Sequence, residues 1–243
     1  MDDGTRALLH RNWASVLGRV RAAAARAGRA PEAVTLVAVT KSVDSTAAEA
    51  LVDLGQTDLG ESRVQELASK AAAVRGARWH LVGALQSNKA RRALELAELL
   101  HGIDDPALLA RLDRIASERG RRARCLLEVN VAGEAEKHGV APGRVAGALE
   151  EGRRCAHVDV EGLMTMAPLG APGPELRRVF GTLRALRDDA ARRGLFGGAP
   201  RDGGELSMGM SGDFEIAVEE GATYVRVGTA LFEGLAESAG TGG

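Results

Sequence analysis

The stretch Val34-Thr35-Leu36-Val37-Ala38-Val39, running straight into Thr40-Lys41-Ser42-Val43, decides the fold. Such a short, β-branched apolar run suits a parallel strand buried on both faces. An open doubly wound sheet usually follows its first strand with a glycine fingerprint, and here neither G-x-G-x-x-G nor a P-loop appears. Upstream, residues 5–28 carry Leu9, Trp13, Val16, Leu17, Val20 and Ala24 at helical spacing, which predicts an amphipathic helix. Downstream, Ser45 is expected to cap a helix that Gly55 closes. The alternation continues to the end of the chain. Strands are predicted near 57–59, 79–82, 100–103, 125–129, 158–163, 205–208 and 224–227, with helices over 62–74, 106–118, 142–153, 174–193 and 212–220. Eight strands separated by helices imply parallel pairing, and the expected fold is α/β, a single (β/α)8 TIM barrel with an extra N-terminal helix.

The chain has 243 residues, 45% hydrophobic and 27% charged, which suits one globular domain over 1–243, ordered from about 5 to 235 with a flexible tail at 236–243. A net charge of −1 argues against a broad basic field for nucleic acid. No apolar run is long enough to cross a membrane, and the acidic start Met1-Asp2-Asp3-Gly4 lacks a signal-type apolar core, so a cytoplasmic protein is expected. Two cysteines, Cys125 and Cys155, exclude a disulfide framework. The histidines His10, His80, His101, His138 and His157 form no ligand motif, so no metal is predicted. Four arginines within 119–124 form the one basic cluster, read as a solvated loop on the barrel's N-terminal face. Of 32 basic residues only four are lysines: Lys41, Lys70, Lys89 and Lys137. Arginine can replace lysine as a surface charge but not as a nucleophilic amine, so the positions of those four carry information.

In a barrel of this kind the working residues gather at the C-terminal ends of the strands. Lys41 follows the most hydrophobic strand, where its amine is expected to stand over a dry interior that favours the neutral nucleophile; the bland reading is a solvated lysine. Ser207-Met208-Gly209-Met210-Ser211-Gly212 closes strand seven and is read as opening a helix, and Arg226-Val227-Gly228-Thr229 closes strand eight. Loops after these two strands are the recurrent phosphate site of the fold, although Gly and Ser also serve ordinary turns and caps. Together with an amine on strand one they describe a site for an aldehyde bearing a phosphate, of which pyridoxal 5′-phosphate is the common example. Arg226 could face a pyridine nitrogen, or it could pair with Glu61 or Asp104.

Several stretches resemble the pyridoxal phosphate homeostasis protein family, whose fold is that of the alanine racemase N-terminal barrel. They are LVAVTK (36–41), LGESRVQE (59–66), WHLVGALQSNK (79–89), EGLMTMAP (161–168), LSMGMSGDFEIAVEEG (206–221) and VRVGTALFEG (225–234). The resemblance implies pyridoxal 5′-phosphate held covalently as an aldimine on Lys41. It implies phosphate contacts at Ser207, Met208, Ser211, Gly228 and Thr229, with Arg226 facing the pyridine. Ser62, Arg63 and Ala84 depart from the family's common Asn, Tyr and Pro. The function implied is that of a non-catalytic carrier, a monomer or weak dimer, that buffers the cofactor, delivers it to apoenzymes and maintains vitamin B6 homeostasis. A racemase of the same fold is the alternative, weakened because the eight βα units use up the chain and its single tyrosine, Tyr224, points into the interior below Arg226. A phosphosugar binder is the third reading. Lys137, in the loop GEAEKHG (133–139), is either a second amine for handing the aldehyde out or a solvated loop lysine.

Overall fold

The apolar run after Pro31 becomes β1 (Thr35–Val39), and in the computed structural model, whose described residues are 1–133 and 138–235, it is one stave of a closed eight-stranded parallel barrel. The staves that follow are β2 (Asp58–Glu61), β3 (Arg78–Ala84), β4 (Leu99–Ile103), β5 (Ala123–Glu128), β6 (Val158–Met164), β7 (Glu205–Ser207) and β8 (Tyr224–Val227). Each pairs with the next, and β8 returns to β1 with Thr35 opposite Tyr224 and Val37 opposite Arg226. Outward residues such as Leu36, Ala38, Leu59, Leu100, Leu127 and Val225 pack beneath the helices and form the large apolar core. The helices are α1 (Asp3–Arg26), α2 (Ser45–Asp53), α3 (Val64–Ala73), α4 (Ala90–Leu96), α5 (Ala107–Glu118), α6 (Val145–Arg153), α7 (Gly173–Arg192), α8 (Phe214–Glu219) and α9 (Thr229–Phe232). No helix among the described residues is long and apolar enough to cross a membrane.

Several local expectations need correcting. Asp44, not Ser45, caps α2: its carboxylate accepts the Ala47 N–H at 3.0 Å, an arrangement that also sets negative charge at the helix's positive end. The turn 211–213 precedes α8, so Ser211 does not open a helix. The 142–153 segment begins as a 3-10 turn, Pro142–Arg144, before α6. The basic cluster does begin in an exposed turn, 119–122, as expected, and three of its four arginines also form ion pairs: Arg119 with Glu95, Arg122 with Asp159 and Arg124 with Glu161. Helix α1 straps the outside of the barrel across α8 and α9, where Asn12 donates its amide to the carbonyls of Leu231 and Glu233.

The barrel interior is only partly apolar. Val37, Leu99, Leu126, Met164 and Tyr224 fill one side of it. The rest is a line of hydrogen bonds. Arg226 Nη1 donates to Ser207 Oγ at 2.6 Å, and Ser207 Oγ lies 2.7 Å from His101 Nδ1. His101 Nε2 is 3.0 Å from His80 Nδ1, and His80 Nε2 is 3.0 Å from Asp58 Oδ1. Asp58 also takes a bidentate grip from Arg78, at 3.0 and 2.6 Å. The Tyr224 ring packs against both imidazoles.

Burial pushes the Asp58 carboxyl up, but the hydrogen bonds from His80 and Arg78 outweigh it and hold it at about 2, below the ordinary 3.8. A carboxyl that ionises lower in the folded than in the unfolded chain stabilises fully above the unfolded value and loses that contribution as pH falls through the folded one. Urea unfolding of the wild type and Asp58→Asn should therefore differ by a pH-dependent part of roughly 2 kcal/mol above pH ~4, closing as pH falls toward ~2. A difference that stays constant across that window contradicts the assignment.

Candidate functional site

Along β1 the side chains of Thr35, Val37 and Val39 take the inward parity, and Lys41 continues it two residues beyond the strand. Closure sets this end beside the end of β8, so Lys41 and Thr229, far apart in sequence, share one cavity of about 690 Å3. Its polar lining is Lys41, Ser62, Glu128, His138, Ser211, Asp213, Arg226 and Thr229, and Val39, Val82 and Met166 belong to its apolar wall. Gly228 allows a close approach there: a Cβ would lie a tight 3.0 Å from the Val39 carbonyl oxygen.

Lys41 is exposed at the rim rather than sunk over a dry interior, because β1 stops at Val39 and the turn that follows lifts it outward. The residue before it is clamped. Thr40 donates its N–H to Gly60 O at 2.9 Å and its hydroxyl to Glu61 Oε1 at 2.6 Å. Lys70 Nζ, itself buried, donates to Thr40 O and to Glu61 Oε1, each at 2.6 Å. Its ammonium is thereby committed to structure. Lys41 is the one lysine among the described residues that lines the cavity. Lys137 lies outside the described residues.

The two loops after β7 and β8 are tied together by Ser211, whose hydroxyl accepts the Ala230 N–H at 3.2 Å and keeps its own proton to donate elsewhere. The preceding turn depends on Gly209, at φ +95°, where a Cβ would lie 2.6 Å from that of Ala217. The backbone N–H groups of Ser211, Gly212 and Thr229 find no acceptor among the described residues. Three unpartnered donors beside two hydroxyls fit a multiply charged oxyanion. Ser207 and Met208 lie deeper and do not line the cavity. The Ser207 hydroxyl is engaged by Arg226 and His101, and the Met208 N–H donates to Tyr224 O at 3.1 Å while its side chain packs in the core.

Arg226 is buried, and its second nitrogen, Nη2, donates to Thr165 O at 3.1 Å. Burial pushes its guanidinium down to about 10 against the attraction of the Glu128 and Asp213 carboxylates. Neither Glu61 nor Asp104 is its partner: Glu61 holds Lys70, and Asp104 lies 2.9 Å from His138. Burial, then the nearby Asp104, raise the Glu128 carboxyl. Glu128, Lys70, His80 and His101 were not singled out from the sequence as parts of the site. Each is an isolated polar residue in an apolar stretch, and only that placement hints at a role.

The site can be set beside known proteins. Residues 16–235 match the family model for the alanine racemase N-terminal domain. A pyridoxal phosphate homeostasis protein of Deinococcus radiodurans is 40% identical over 220 residues, covering 90% of this chain and 98% of that protein. One of Aquifex aeolicus is 37% identical, covering 89% and 94%. The structure of PipY from Synechococcus elongatus with PLP bound superposes with a TM-score of 0.77 at 35% identity, covering 92% of this chain and 99% of that one. An alanine racemase of Clostridium difficile, 13% identical, has a TM-score of 0.73 over 92% of this chain and 56% of its own, a likeness of fold.

Removing Lys70 leaves the Glu61 carboxylate buried without its cation, and breaking such a pair typically costs ~3–5 kcal/mol. Lys70→Met should lower the unfolding free energy by about that amount in a urea titration. Adding Glu61→Leu to it should restore most of the loss. A double variant as unstable as the single would show that the pair's charge is not what matters.

Proposed function

The chain belongs to the pyridoxal phosphate homeostasis protein family, and from that premise we propose that it binds pyridoxal 5′-phosphate, buffers it, and delivers it to apoenzymes in vitamin B6 homeostasis. The observation that carries this reading is the convergence on one cavity of an accessible amine, a buried guanidinium and a nest of unpartnered N–H donors. The residues fit the cofactor's three polar parts. Lys41 Nζ would hold the aldehyde carbon. Ser211, Gly212, Gly228 and Thr229 would hold the phosphate through hydroxyl and backbone N–H donors. Ser207 and Met208 would serve from beneath, Ser207 by holding Arg226 and Met208 by fixing the turn. Arg226 would face the pyridine nitrogen, where a cation disfavours a proton.

When bound, the cofactor supplies an aldehyde that condenses reversibly with amines and a ring that withdraws electrons. The protein's part is to bind and to release. The Thr40–Glu61–Lys70 clamp fixes the backbone from which Lys41 projects. Because Lys41 lies at an open rim, water and incoming amines reach its Nζ, as handing the aldehyde on requires. Tyr224, the single tyrosine, lies inside the barrel against His80 and His101 and does not line the cavity. It therefore offers no acid or base opposite Lys41, which supports a carrier over a racemase. A cytoplasmic site of action, a monomer or weak dimer, and one domain spanning the chain belong to the same proposal. Both cysteines are free, as a reducing compartment keeps them.

Borohydride treatment of the loaded protein should fix the cofactor on Lys41, located by peptide mass analysis, and Lys41→Ala should abolish the adduct. An undiminished adduct, or one on Lys70, overturns the site. Ser211→Ala and Thr229→Val should each weaken binding by roughly ten- to a hundredfold, for charge-assisted hydrogen bonds worth ~1.5–3 kcal/mol. Incubation with L-amino acids in deuterated water should give no exchange at Cα at an enzymatic rate; turnover near ~1 s⁻¹ or faster would favour the racemase.

A further inference from the structure

A guanidinium can only donate hydrogen bonds and a carboxylate can only accept them. The line Arg226–Ser207–His101–His80–Asp58 has one of these at each end, so one order of its protons gives every group between them a partner with both imidazoles neutral. Arg226 donates to Ser207 Oγ at 2.6 Å, and the Ser207 proton then goes to His101 Nδ1 at 2.7 Å. His101 carries its proton on Nε2 and donates to His80 Nδ1, and His80 donates from Nε2 to Asp58, both at 3.0 Å. Both imidazoles are neutral Nε2–H tautomers in this order. The reverse arrangement makes His80 a cation and puts the His101 proton on Nδ1, facing Ser207. The Ser207 hydroxyl proton, in a fully buried residue, would then have no acceptor among the described residues, at the cost of an unsatisfied buried donor. Burial above all, with the Arg226 cation nearby, also holds His101 well below the usual histidine range, hence neutral.

Arg226 is buried yet hydrogen-bonds to no carboxylate among the described residues; its acceptors there are Ser207 Oγ and Thr165 O. The charges facing the line are Glu128 and Asp213 near Arg226, and Arg78, Arg124, Glu161, Arg201 and Glu205 toward the far end, with Tyr224 alongside. Four hydrogen bonds with their dipoles aligned polarise one another and link the Arg226 cation to the Asp58 anion across the barrel. The geometry points to Ser207, His101 and His80 as positioning residues that relay the Asp58 countercharge to Arg226 and fix the edge of its guanidinium presented to the cavity. Contact of that edge with the cofactor's pyridine rests on the function proposed above; the proton order does not.

Long-range proton–nitrogen NMR of the cofactor-free wild type, with the rings assigned through His80→Gln and His101→Gln, reads the order directly. Both rings should show a protonated Nε2 and a bare Nδ1. A proton on His101 Nδ1, or a doubly protonated His80, overturns the inference. In the loaded protein, His101→Leu cuts the line, whereas His101→Gln keeps one donor and one acceptor. The leucine variant should shift the absorption maximum of the bound cofactor and speed its loss about tenfold, with glutamine restoring most of both. Equal effects from the two variants, or none from either, overturn the relay. A wild type that forms no adduct at Lys41 would overturn the function proposed for the site and leave the tautomer result standing.

Discussion

Everything at the cavity depends on the pairing of β1 with β8. A parallel sheet left open would expose a row of unpaired N–H and C=O groups at each edge, and closure removes both. It also fixes distances that no local sequence could. Val37 lies opposite Arg226 and Ala38 opposite Val227, so the residues that follow the two strands must meet at one end. A slip by one residue would reverse the inward and outward sets and turn Arg226 and Tyr224 toward the helices. The apolar packing of Leu36, Ala38 and Val225 beneath those helices holds the register.

Having closed, the barrel must fill its centre, and it does so by dividing the work. Val37, Leu99, Leu126 and Met164 supply volume, while His80, His101 and Ser207 accompany the guanidinium that the cavity needs. A charge that deep would otherwise lose its hydration without recompense. The ion pairs at the N-terminal end, among them Arg78 with Asp58 and Arg201 with Glu205, are the other terminus of the same arrangement. The small aromatic content leaves room for it: one tyrosine ring packs against two imidazoles where bulkier side chains would displace the polar line.

The architecture was legible because each strand is a short apolar run and each helix has its own period. Every predicted strand has its counterpart, with ends displaced by at most two residues. The errors lie where side-chain competition is local. Asp44 and Ser45 are both able caps, and only the geometry of the turn chooses between them. Lys41, Ser211, Arg226, Gly228 and Thr229 were visible because they end strands or follow them closely. Lys41's exposure was not, since it depends on where β1 stops. His80, His101 and Asp58 were invisible as a group. Each sits on a different strand, and only the curvature of the closed sheet lines them up.

Helix α1 carries a consequence for how the chain comes into being. It precedes the whole barrel in sequence, yet its partners are α8 and α9, about 200 residues on, and Asn12 waits for carbonyls at Leu231 and Glu233. Its apolar stripe, Leu9, Val16, Val20 and Ala23, is therefore left without its native cover for most of synthesis. Domains fold as units during translation, and contacts of such long sequence separation form late. A ribosome translating this protein extrudes an amphipathic helix whose apolar stripe stays uncovered until the closing stave emerges.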